Sequence, residues 1–213
     1  MTNEEYSAVI APMVTELKTL RQKALQLSAG VSGENLCDED LPFCATLDRC
    51  VRLIDGFIPM LQARNLTCAG VLLRMQMDNC MRTYAAYITE DRESYVQAFL
   101  NGKNISKLKD VNGNKLTDAH LKSKMWQLDG RFKGVYENAS GYVHCSSKAF
   151  FQMVGDIGDN GTEFLIGLPL PEKRNDVLLE CADAYIHYVK LHFKLIQPVV
   201  ESKRRFDIAH AGE

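Results

Sequence analysis

Apolar residues recur at helical spacing along most of the chain, and that period predicts about six helices. Ile10, Met13, Val14, Leu17, Leu20, Ala24 and Leu25 mark the first, over residues 3–28. Thr2 and Glu5 form a capping-box signature at its start, and Pro12 inside it marks a kink or the true beginning. A second helix opens at Asp40–Pro42, carries Phe43, Leu47, Cys50, Val51, Ile54 and Phe57 on one face, and is bent or ended by Pro59. The third covers residues 65–88 and a short one covers 92–100. Thr117 or Asp118 caps the next, to about residue 133, and another holds 135–151. The last runs from Pro171–Glu172 to about Arg205, with Pro198 as a possible kink.

Two stretches leave the period. Residues 101–117, NGKNISKLKDVNGNKLT, are polar with Asn-Gly turns, so a surface excursion is expected. Asp110, Asn112 and Asn114 are spaced like a calcium loop, but the glycine falls at the fourth place and no glutamate closes the loop. Residues 155–170 hold an Asp159-Asn160-Gly161 turn followed by Phe164-Leu165-Ile166, which predicts a hairpin or extended flap. Following His144 so closely, it is expected to lie beside the polar site as a mobile lid. The fold class is therefore mainly α: an antiparallel helical bundle with a short extended or hairpin insertion, one domain over residues 1–213.

Candidate chemistry lies on two helices. In TCAGVLLRMQMDNCMRTYAAYI the charged residues are Arg74, Asp78 and Arg82, four apart and hence one stripe. A charge in so apolar a helix is costly unless paired, so Asp78 is expected to neutralise an arginine at a cost of ~3–5 kcal/mol if removed. Tyr136, Ser140 and His144 form a second stripe with the same spacing. Neither stripe can be buried alone without orphaned polar groups, so the two are expected to meet. In a binding site, Arg74, Asp78, Arg82 and Tyr136 would hold the ligand, an arginine taking an anion. In a catalytic one, His144 would be the general base and Ser140 a nucleophile or hydrogen-bond donor. The plainer alternative is an internal salt-bridge ladder beside a satisfied core histidine. Asp183 and His187 are spaced to pair, and His187 and His192, five apart, suit no shared metal.

Composition narrows the classes. With 25 basic and 27 acidic residues the net charge is -2, and no global field draws nucleic acid or acidic lipid. Nucleic acid is not favoured as a partner. The acidic N-terminus is no signal peptide, and no run suits a membrane span. Seven cysteines without a CxxC pair suggest reduced thiols and a cytoplasmic setting. Cys37, Cys44 and Cys50 fit no common zinc spacing, and HExxH, P-loop and GxSxG motifs are lacking, so no metal or cofactor is expected.

The pairing of LLRMQMDNCMRTYAAYI with YENASGYVH resembles a loose group of uncharacterised bacterial helical proteins, distantly similar to HEPN and abortive-infection proteins. The resemblance covers residues 53–151 and maps onto Arg74, Asp78, Tyr136, Ser140 and His144. It implies a helical bundle, often self-associating, in bacterial defence or stress. The nuclease motif of the HEPN group, an arginine four to six residues before the histidine, is missing ahead of His144. Arg205 and His210 have that spacing, at the chain's end. Two functions follow: a soluble protein binding a small polar or anionic ligand, with a homodimer as a further expectation; or a HEPN-like ribonuclease or other metal-independent hydrolase.

Overall fold

A computed structural model describes residues 1–144, 146–158, 161–168 and 170–210. Eight helices and one hairpin follow in order: α1 (Asn3–Ser32), α2 (Leu41–Gln62), α3 (Leu66–Ile88), α4 (Arg92–Leu100), α5 (Asp118–Leu128), α6 (Phe132–Val143), α7 (Ser147–Met153), β1 (Val154–Gly158), β2 (Gly161–Phe164) and α8 (Asn175–His210). The mainly α class with a small hairpin insertion is what the periodicity predicts.

Sequence-encoded caps set most boundaries. Thr2 and Glu5 bond each other's backbone N–H at the start of α1, and Gly33 ends it with φ 54°, a conformation that favours glycine. Asn65 accepts from Cys68 N–H at the start of α3, Asp91 from Ser94 N–H in α4, and Thr117 from His120 N–H in α5. Pro12, Pro59 and Pro198 all lie inside helices.

α1, α2, α3 and α8 form a four-helix ring in which α1 packs on α2 and α8, and α3 packs on α2 and α8. α1 to α3 run up, down, up through short connections. The long excursion through α4–α7 and the hairpin then returns the chain to where α1 begins. Asn3 N–H donates to Glu172 and Asn175 Nδ2 to Met1 O at one end, while Lys203 reaches Asn35 O at the other. So α8 runs parallel to α1 and α3, a direction that helical period alone does not encode. Its core includes the stacked rings of Phe57 and Tyr185, 3.8 Å apart.

α3 is the central helix, covered by α5 and α6 as well as α2 and α8. α6 approaches it closely at Gly70, where an added Cβ would stand 2.6 Å from Tyr142 Cγ. The root of a ring cannot swing aside as its tip can. Gly70→Ala is therefore expected to lose about 1–3 kcal/mol to overpacking, against the ~1 kcal/mol that alanine gains in helix propensity. Urea melts measure the balance, and a stabilised variant would show that α6 gives way.

Two expectations are corrected, the helix over 135–151 and the lid, and the excursion between them gains its physical cause. The helix expected over 135–151 is broken: α6 stops at Val143, His144 is its C-cap, and Ser146 caps α7 by accepting from Lys148 N–H. The excursion at 101–117 is fixed by the buried Asp110, which accepts from the backbone N–H of Asn112 and Asn114 and bonds His120 Nε2 at 2.8 Å. Burial would raise the Asp110 pKa, but these bonds outweigh it and hold it near about 2. The carboxylate that resembled a calcium ligand thus organises its own loop. Finally, the extended flap is a hairpin, as predicted, but it does not cover the stripes. Lys173 Nζ and Arg174 Nη2 donate to Gly155 O and Val154 O at 2.6 and 2.7 Å, tying it to the start of α8. Gln152, just before it, bonds Thr67 at the start of α3. Arg74 lies about two turns further along. Asp159 and Asn160 of the expected turn, and the thiol of Cys145, lie outside the described residues.

Candidate functional site

The two polar stripes meet through Arg74. Its Nε donates to Ser140 Oγ at 3.2 Å and its Nη2 to the Tyr136 hydroxyl, while the guanidinium lies 3.6 Å from the Tyr136 ring centroid. Nη1 stands 2.7 Å from Asp78 Oδ1, an ion pair out of hydrogen-bonding alignment. Nε and Nη2 are hydrogen-bonded and Nη1 is held by charge alone, and none of the four main cavities among the described residues is lined by Arg74, Asp78, Tyr136 or Ser140. The cluster clamps α6 onto α3.

The remaining stripe residues do not join it. Arg82 Nη2 pairs with Asp118 Oδ1 at 2.6 Å, tying α3 to α5 rather than sharing Asp78. Ser140 Oγ–H donates back to Tyr136 O at 2.7 Å, so its proton is committed to its own helix. The exposed His144 engages Ser140 only through its backbone, its N–H donating to Ser140 O at 3.1 Å. Ending the helix there turns His144 out of the stripe, so no serine–histidine pair forms. His187 bonds Asp129 at 2.9 Å, while Asp183 pairs with Arg131. At the C-terminal end, His210 Nδ1 bonds Phe206 O at 2.9 Å, and its ring stacks on Phe206.

A second polar group lies deeper. Gln76, Asn79 and Thr83 point from α3 into the bundle, where they meet Thr46 of α2 and His192 of α8, all buried. Thr46 Oγ1 donates to Phe43 O at 2.9 Å and Thr83 Oγ1 to Thr46 Oγ1 at 3.2 Å. With those protons placed, His192 Nε2–H donates to Thr83 at 3.0 Å. Nδ1 is then a bare acceptor, buried without a partner among the described residues. Burial drives the His192 pKa down to about 3. Arg49 reaches the same group through Asn79 Oδ1 at 3.1 Å. The signal for this network lies in uncharged polar residues spaced three and four apart in α3, Gln76, Asn79 and Thr83, which the charged stripe on the same helix overshadows.

The cavity with the most varied chemistry is a cleft of about 490 Å³ between the start of α2, the end of α3, α4 and the far part of α8. Lys203 is buried at its wall, its Nζ donating to Asp40 Oδ2 at 2.6 Å and to Asn35 O, with Cys37 Sγ 3.7 Å away. Burial lowers the Lys203 pKa, but the Asp40 carboxylate more than compensates and raises it, so the ammonium persists. Phe43 and Tyr87 stand 5.7 Å apart on another side. Burial pushes the Tyr87 hydroxyl up to about 12, with Arg92 opposing the shift. Arg92, Asp38 and Glu39 also line the cleft, and none of the three makes an ion pair among the described residues. Among those residues, no three His, Cys, Asp or Glu side chains converge as a metal site, and no helix is long and apolar enough to cross a membrane.

No family model matches the chain, and no curated protein or solved structure does.

Proposed function

We propose that this chain is a binding protein for a small zwitterion with an apolar body, an amino acid or a short peptide, held in the cleft between α2, α4 and α8. The observation that carries the reading is the charge left over in the cleft. Lys203 and Asp40 satisfy one another, which leaves the Arg92 guanidinium and the Asp38 and Glu39 carboxylates uncommitted on the same cavity. A guanidinium suits a ligand carboxylate and the carboxylates a ligand ammonium. Phe43, Tyr87 and Phe206 suit the apolar body, and about 490 Å³ lies within the range of small-molecule sites. This keeps the small polar ligand expected from the sequence and moves it away from Arg74, which lines none of the four main cavities among the described residues. The resemblance to HEPN and abortive-infection proteins adds a bacterial defence or stress setting and self-association, on the strength of the resemblance alone.

Titration calorimetry with phenylalanine and leucine, each free, N-acetylated and C-amidated, tests the reading. The free forms are expected to bind and each blocked form to bind at least tenfold more weakly, about 1.4 kcal/mol. Arg92→Ala should remove the preference for a free carboxylate, and Asp38→Asn with Glu39→Gln the preference for a free ammonium. Equal binding of free and blocked forms, or binding of none, rejects the zwitterion.

A further inference from the structure

A second cavity, of about 770 Å³, lies between α1, α3, α6 and α8 and is independent of the cleft above. Its apolar walls include Val9, Met13, Leu73 and Val135, and Lys148 reaches it from α7. Lys148 has no carboxylate partner among the described residues. Its Nζ donates to Asn138 Oδ1 at 3.1 Å and lies 4.9 Å from the Tyr142 ring centroid. Its aliphatic stem passes close by Gly141, where an added Cβ would meet Lys148 Cδ at 2.8 Å. Only Lys148 and Lys203 line any of the four main cavities among the described residues, and of these Lys203 is paired with Asp40, as Lys122 is with Glu137 outside them. The cavity's own carboxylates are Asp176 and Glu180 on α8, with Asp183 taken by Arg131.

From this arrangement we infer that Lys148 is a carbonyl-reactive amine that forms an imine with a small neutral aldehyde held in the α1–α3–α6–α8 cavity. An amine without a counter-ion in a partly apolar wall is easier to leave unprotonated, which is the form that attacks a carbonyl. Burial does lower the Lys148 pKa. In the step, the Nζ lone pair bonds to the carbonyl carbon and the carbonyl π pair moves to oxygen. The carbinolamine loses that oxygen as water with two protons, leaving a C=N bond. One amine and one aldehyde give one imine and one water, with no oxidant or reductant. Asp176 and Glu180 disfavour an anionic carbonyl compound, and the apolar wall suits a hydrocarbon body.

The test is reductive trapping. The full-length protein is treated with one equivalent of benzaldehyde and cyanoborohydride, which delivers hydride to the imine carbon, and labelled peptides are mapped by mass spectrometry. Lys148 is expected to take most of the early label. Lys148→Arg should abolish that fast phase, whereas Lys122→Arg should keep it. Label spread evenly over the lysines, or a fast phase that survives Lys148→Arg, overturns the inference. If Lys148→Arg fails to fold, site-resolved labelling of the unmodified chain against pH decides. A Lys148 profile displaced to lower pH than Lys122 supports the site, and coincident profiles overturn it.

Discussion

Asp40→Ala is expected to lower the unfolding free energy by about 3–5 kcal/mol, because it strands a buried ammonium. The side chains of Lys203 and Asp40 are only 6% and 11% exposed. With the carboxylate gone, Lys203 retains the Asn35 carbonyl but no carboxylate in contact, only the weaker attraction of Asp207. Asp40 also accepts from Cys37 N–H at 2.9 Å, so the entry to α2 loosens with it. Combining Asp40→Ala with Lys203→Met removes both charges, and the double variant should lose less than the sum of the singles. Urea melts with an unchanged slope measure all three. An Asp40→Ala variant within about 1 kcal/mol of the parent would mean that water reaches the pair and that the cleft wall is not built as described.

Asp78→Ala is expected to cost less than the sequence alone implied, about 1–3 kcal/mol, near the cost of leaving one charged group unmatched. Arg74 and Asp78 side chains are 13% and 26% exposed, and Arg74 keeps Tyr136 and Ser140 as acceptors when the carboxylate goes. Glu93→Ala, in the exposed first turn of α4, should stay within about 1 kcal/mol. The order Asp40, Asp78, Glu93 follows burial. A larger loss at Asp78 than at Asp40 would restore the Arg74 cluster as the main buried charge site.

The helices were legible because the local code for them is strong. Asn65, Asp91 and Thr117 stand where a capping side chain must, and the structure uses each. The break at His144 was not legible, since the apolar period runs on through Phe150 and Phe151 while Ser146 competes as a cap. The meeting of the two stripes could be foreseen: polar side chains on apolar helices must find partners. Which hydrogen bonds they make could not, and those bonds hold Arg74 against α6, away from the four main cavities among the described residues. The cleft was invisible because it is made at long range. Lys203 and Asp40 are 163 positions apart, and α8 reaches α2 only through a crossover whose direction no local pattern records. For His192 the sequence offered only a spacing from His187 that suits no shared metal, and the structure buries it in the core. Its half-satisfied ring appears only once Thr46 and Thr83 are placed beside it.

That half-satisfied ring sets the largest pH effect expected of this fold. Nε2 has Thr83 to donate to, but Nδ1 faces no acceptor among the described residues, so protonation would create an unpaired buried cation. Burial holds the folded pKa near about 3, against 6.5 when exposed. Between those values the unfolded chain binds a proton that the folded one does not, so folding stability falls as pH falls. The contribution is intact above pH ~6.5 and should be lost at about 1.4 kcal/mol per unit below it, about 2 kcal/mol by pH 5. Asp110, held near about 2, titrates lower and adds acid lability only below its unfolded value of 3.8. His192→Gln keeps a donor for Thr83 and cannot titrate. Urea melts from pH 7.5 to 4.5 should therefore show a slope in the parent that is reduced by about one proton in His192→Gln. Parallel profiles for the two proteins would mean that His192 finds an acceptor or water for Nδ1, and that the network among α2, α3 and α8 is wetter than its geometry implies.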